Sequence, residues 1–168
     1  MKLVQVAAVL FALGFWNAEA AAQTASLKDQ LVGSWDFVVA EVTAPDGTKS
    51  LPFGATPKGV LIFTPDGRFA QIHIASEAPK IASNNRMTGT ADEYAAIMRG
   101  SVAVFGSYIV DEDKRTVTYK IISATIPNWA GESQTRSIDK LTADEFVNTN
   151  PNVAGGRGKA ANIYRRAK

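Results

Sequence analysis

Cysteine is absent from the 168-residue chain, so no disulfide framework, thiol nucleophile or cysteine zinc site is available. Histidine occurs once, as His73. That single imidazole excludes a multi-histidine metal centre, and a Ser/His/Asp triad would have to use it. An excess of one charge is lacking too: 18 basic and 16 acidic residues leave a formal net charge of +2. So small a balance gives no electrostatic footprint for nucleic acid. With no clustered carboxylate loop either, neither a metal nor another cofactor is expected. Composition is otherwise ordinary, 46% hydrophobic and 20% charged, which excludes disordered, collagen-like and coiled-coil chains. The length suits one domain with a single core.

Long hydrophobic runs are scarce. One exists, from Leu3 to Trp16, interrupted only by Gln5. Lys2 precedes it and the small-residue stretch NAEAAAQTA follows. This is the three-part pattern of a secretory signal peptide, with Ala18/Ala20 or Ala20/Ala22 at the cleavage positions. A spanning helix needs about 20 apolar residues, more than this run supplies. No cysteine follows, which excludes a lipoprotein anchor. Residues 1–22 are therefore expected to be a cleaved signal peptide, and residues 23–168 an exported domain, periplasmic or secreted. No membrane span is expected after cleavage.

Turn signals recur along the rest of the chain and separate runs rich in Val, Ile, Phe, Tyr and Thr, the pattern of an antiparallel all-β domain. The first run is Gly33 to Ala44, in which Trp35, Phe37 and Val39 alternate with Asp36, Val38 and Ala40. Lys58 to Thr64 and Arg68 to Ile74 flank Pro65-Asp66-Gly67, the strongest hairpin signal present. Val102 to Val110 and Thr116 to Ile126 are joined by the charged link DEDKR. Ser133 to Ile138, Glu145 to Asn148 and Ala161 to Arg166 complete eight strands. Sequential antiparallel strands of that number close into an up-and-down β-barrel, which removes both sheet edges.

Residues 75–90 break the pattern and are rich in small and polar types. They lead into Thr90-Ala91-Asp92-Glu93, a capping box, and the spacing predicts one short helix over Ala91–Arg99, between strands three and four. Tyr94, Ile97 and Met98 form its apolar stripe. The segment from Ala75 to Gly100 is expected to act as a mobile lid, with that stripe docked on the barrel mouth. A second short helix is expected over Ser26–Leu31.

Four stretches together resemble the bacterial and fungal lipocalin-like domain family, small barrels of the calycin group. They are LVGSWDFV (31–38), PFGATPKGVLIFTPDGRF (52–69), GTADEYAAIMRGSVAVFGSYIVDE (89–112) and TVTYKIISATIPNWAGESQTR (116–136). The resemblance implies an eight-stranded barrel with an internal cavity and no set activity. Gly33-Ser34-Trp35 is similar to the Gly-x-Trp signature of lipocalins. The resemblance implies that Trp35 closes one barrel end beneath an Arg of the last strand, Arg165 or Arg166. The family's fifth strand often carries His and Glu near its middle. Here the stretch reads Tyr119-Lys120-Ile121-Ile122, so no catalytic role carries over.

Candidate ligand contacts are Phe37, Tyr108, Tyr119, Trp129, Gln134 and Arg136. Gln134 and Arg136 lie two apart on one strand and share a face. An inward Arg needs a partner, which could be Glu41, Asp36 or the carboxylate of a ligand. The tyrosines pair an apolar body with a polar handle, and Trp129 lies in a loop after strand five. His73 is expected to point outward, because Ile72 and Ile74 read as the buried face. Asp111, Glu112 and Asp113 are expected to form a solvated turn. Asn152 to Lys159 reads as a hairpin loop rather than a phosphate site, since it lacks the Walker spacing.

Three functions compete. The first is an exported barrel that holds a small hydrophobic or amphipathic ligand, as a monomer or weak dimer. The second is a cofactor-free isomerase or cyclase of small hydrophobic substrates, using Tyr, Arg, Lys or Glu. The third is an envelope interaction module with a filled barrel. A shortage of catalytic group types favours the first, and no catalytic residue is assigned.

Overall fold

The computed structural model describes residues 25–153 and 158–168. The expected signal peptide and the centre of the glycine-rich stretch, residues 154–157, lie outside the described residues. The strands are β1 (Gly33–Thr43), β2 (Lys49–Ser50), β3 (Lys58–Phe63), β4 (Arg68–Ile74), β5 (Ser101–Asp111), β6 (Thr116–Ala124), β7 (Ser133–Leu141), β8 (Glu145–Asn150) and β9 (Lys159–Arg166). Every pairing is antiparallel, and β9 returns to pair with β1 from Trp35↔Arg166 to Thr43↔Lys159. Eight strands thus close into a barrel, and β2 is a short ribbon added to the end of β1. Helix α1 (Leu27–Leu31) precedes the barrel, and α2 (Ala91–Arg99) lies between its third and fourth strands, β4 and β5.

Local chemistry sets these elements. In the β3–β4 turn Gly67 takes φ +85°, a left-handed conformation suited to glycine. The Thr64 hydroxyl donates to the Asp66 carboxylate beside it. Thr90 and Glu93 form both halves of the capping box at the start of α2. In β1 the inward phase runs through Trp35 and Phe37, and then a β-bulge between Phe37 and Val39 resets it. Ala40 rather than Val39 therefore takes the next interior place, contrary to simple alternation.

One end of the barrel is filled. Trp35, Leu61, Phe63, Val117, Phe146 and Tyr164 are almost fully buried there, and α1 covers them with Leu27 and Leu31. The Trp35 indole donates to the Leu31 carbonyl at 2.8 Å. Arg166 lies 4.0 Å from the Trp35 ring and donates to the carbonyls of Ala143, Val32 and Gln30. Its guanidinium passes so close to Gly33 that a Cβ there would stand 3.0 Å from Nη1, and Gly33 has φ +125°. Arg165 is exposed, which leaves Arg166 as the one closing arginine of the two named from sequence. Glu112 is not a free member of a solvated turn. It accepts from the backbone N–H groups of Leu27 and Lys28 at 2.8 and 3.2 Å and so anchors α1 to the β5–β6 hairpin.

Arg166 combines a stacked indole with three backbone acceptors. Arg166→Ala is expected to lower unfolding stability by about 2–4 kcal/mol, and Arg165→Ala by under about 0.5 kcal/mol. Urea denaturation of the two variants checks this.

Candidate functional site

The other half of the barrel is hollow. A cavity of about 490 Å³ opens at the end away from Trp35. Ala40, Val42, Phe53, Val102, Trp129 and Ala160 form its apolar wall. Gln71, His73, Gln134, Arg136 and Asn162 form a polar arc interleaved with them, His73 pairing with Val102 and Asn162 with Ala40, and Asn150 and Asn152 also line the space. The arc follows from the strand period. Phe69, Tyr164 and Phe146 point inward in the filled half, so residues two or four places further along the same strands must point inward as well. On β4 these are Gln71 and His73, on β9 Asn162, and on β8 Asn148.

His73 is therefore 3% exposed, and the expectation that it points outward is overturned. Its neighbour Ile72 is on the outer face, 43% exposed. The imidazole stacks on Phe37 with a centroid distance of 3.6 Å and an interplanar angle of 6°, and Phe53 meets it edge-on. Its Nε2 lies 3.0 Å from the Tyr164 hydroxyl. Burial, aided by the nearby Arg136 charge, holds the imidazole pKa down at about 3, so it is neutral. Burial likewise pushes the Tyr119 phenol up to about 12 and raises that of Tyr164, with Arg136 opposing in both cases.

Arg136 is the centre of the arc. It is 7% exposed, and its guanidinium lies 4.9 Å from the Tyr119 ring. Nη1 donates to Gln71 Oε1 and Nη2 to Gln134 Oε1, each at 3.3 Å. Nε has no partner among the described residues. Neither carboxylate named from sequence serves it: Glu41 pairs with Lys49 on the surface, and Asp36 is exposed. On the paired strands β8 and β9, Asn162 Nδ2 donates to Asn148 Oδ1 at 3.1 Å.

Of the six candidate contacts, Trp129, Gln134 and Arg136 share the cavity wall. The other three do not line it. Phe37 sits behind His73, because the bulge turns β1 after it. Tyr119 lies under Arg136. Tyr108 belongs to the filled end, where its hydroxyl donates to the Thr64 carbonyl at 3.0 Å. Sequence reasoning missed Gln71, His73, Asn148, Asn162 and Phe53. Anchoring the phase of each strand on its largest aromatic would have brought out the first four.

The residues proposed for a lid lie elsewhere. Tyr94, Ile97 and Met98 do not line the cavity, and Tyr94 and Met98 are 40% and 44% exposed. The Tyr94 hydroxyl instead donates to Arg86 O and accepts from Gly89 N, while Glu93 accepts from Ala82 N. Helix α2 thus ties down its own preceding loop. Among the described residues no three His, Cys, Asp or Glu side chains gather as a metal-binding group, and no helix is long and apolar enough to cross a membrane.

The depressed His73 pKa makes stability depend on pH. Below its ordinary value of 6.5 the unfolded chain takes up a proton that the folded chain, near 3, refuses. Stability is fully present above pH 6.5 and falls below it, with a slope of up to about 1.4 kcal/mol per pH unit. Urea midpoints measured between pH 7 and 4.5 should show this decline, and His73→Gln should flatten it.

The sequence pattern of the lipocalin-like domain family matches residues 32–164. No curated protein matches the chain. Among solved structures, a lipocalin-like protein from Bacteroides uniformis aligns at 14% identity and a TM-score of 0.46, over 82% of this chain and 99% of its own. Bovine odorant binding protein in complex with a selenium-containing odorant aligns at 14% identity and a TM-score of 0.42, over 87% and 76%. The tryptamine complex of the amine binding protein of Rhodnius prolixus aligns at 14% identity and a TM-score of 0.41, over 82% and 63%. With the family pattern covering the whole barrel from β1 to β9, the chain belongs to the lipocalin-like domain family.

Proposed function

We propose that the protein is an exported carrier or sequestering protein that holds a small amphipathic molecule inside the barrel. The observation that carries this reading is the hollow half, about 490 Å³ with apolar and polar side chains interleaved around its wall. Its size falls in the range of small-molecule sites, and its chemistry has the same mixture of many apolar and few polar groups. A filled interaction module would not leave such a space. Among the described residues no carboxylate lines the cavity, so an isomerase or cyclase would lack the acid–base pair it needs there. Export is supported by the sequence pattern of residues 1–22.

Trp129 on the wall provides the signal for a binding test, because the other tryptophan of the mature chain, Trp35, is buried in the filled end. Saturable change in Trp129 emission with 1-octanol is expected, and Trp129→Phe should abolish it. Ala160 is buried on the cavity wall, so Ala160→Leu should weaken binding about tenfold or more by filling the space. No saturable change, with calorimetry also silent, would overturn the reading. Amino-terminal sequencing of the exported protein should find cleavage after Ala20 or Ala22, and a chain beginning at Met1 would refute export by signal cleavage.

A further inference from the structure

We infer that the cavity selects molecules bearing a single carboxylate, and that Arg136 is the group that receives it. This rests on the binding function proposed above and specifies its ligand class. A guanidinium buried to 7% exposure ordinarily lies against a carboxylate, because an uncompensated buried charge is strongly destabilising. Among the described residues no carboxylate pairs with Arg136. Every ion pair among the described residues is on the surface: Lys49–Glu41, Arg68–Asp66, Lys114–Asp111 and Lys140–Glu145.

What surrounds Arg136 is neutral. Two amide oxygens accept from Nη1 and Nη2 at 3.3 Å, long beside the 2.7–2.9 Å usual for charge-assisted bonds. The Tyr119 ring lies along the guanidinium, the neutral Tyr164 hydroxyl lies close enough to hydrogen-bond it, His73 is uncharged, and Nε has no partner among the described residues. A guanidinium has five N–H donors in a planar fork, and only two are engaged by the glutamines. The fork fits the two oxygens of a carboxylate. No other Lys or Arg lines the cavity among the described residues, so one cation awaits one negative charge. Val42, Phe53, Val102 and Trp129 line the same cavity and supply apolar surface for the rest of the molecule.

Octanoate, 1-octanol and octylamine share a chain length and differ in the head group. Calorimetric and Trp129-fluorescence titrations at pH 7 compare the three. Octanoate is expected to bind about tenfold or more tightly than 1-octanol, as a charge-assisted hydrogen-bonded pair implies, and octylamine weakest of all. Arg136→Gln should bring octanoate down to the level of 1-octanol. Gln71→Glu is the companion variant. It keeps the side-chain length and places a carboxylate beside Arg136, so it should abolish the preference while raising the urea midpoint at pH 7. Equal binding of octanoate and 1-octanol by the unaltered protein would overturn the inference and leave the cavity reading standing. A preference that survives both variants would also overturn it. Failure of all three molecules to bind would remove both.

Discussion

The return of β9 to β1 is the constraint on which everything else depends. It removes both sheet edges, and it brings the last residues of β9 over the first of β1. Arg166 thereby reaches Trp35, the carbonyls of α1 and the β7–β8 turn together. The barrel is closed around its circumference by the ladder and at one end by this clamp. Once that end holds the largest aromatics, the other end is left with small and polar side chains. Ala40, Ala160, Asn148 and Asn162 cannot fill the volume that Trp35, Phe63, Phe146 and Tyr164 fill below them. The cavity follows from where bulk is spent along each strand.

The two halves also differ electrically. Below, the tyrosine hydroxyl of residue 108 is tied to a backbone carbonyl, and the aromatics meet mostly edge-on or tilted. Above, Arg136 places a positive charge among amides, an imidazole and two phenols whose pKa values all respond to burial and to that charge. Low dielectric sharpens each of these effects. The Phe37 stack and the Tyr164 hydroxyl fix the His73 ring in place. It is a rigid neutral wall of the pocket.

The eight barrel strands, the β3–β4 hairpin and the capped helix were legible in the sequence, because turn chemistry and caps are local signals, whereas the Trp35 closure came from the family resemblance and the short β2 was not expected. The inward phase of β4 was not. RFAQIHI offers Ile72 and Ile74 as an apolar face and Gln71 and His73 as a polar one, and hydrophobicity alone puts the isoleucines inside. The barrel does the reverse because Phe69 is pinned in the filled end and period two carries Gln71 and His73 inward behind it. The same inversion leaves Phe105, Ile109 and Ile122 on the outer surface. At position 136 the residue pattern of β7 left the inward and outward phases open, and the arginine's surroundings depend on other strands and could not be inferred from β7. The bulge in β1, which moves Phe37 behind His73, left no mark in the sequence.

Such an arrangement has a consequence for stability. A fold selected only to persist would place Glu at position 71 or 134, one methylene-for-methylene match away from the residues present, and neutralise Arg136 internally. Glutamine at both positions satisfies part of the guanidinium and leaves its charge open. The filled half, with its aromatic cluster and the Arg166 clamp, meets the arc through Phe37, Tyr119 and Tyr164. The aromatic end supplies the buried core, while the polar end keeps an open volume beside a guanidinium that pairs with no carboxylate among the described residues.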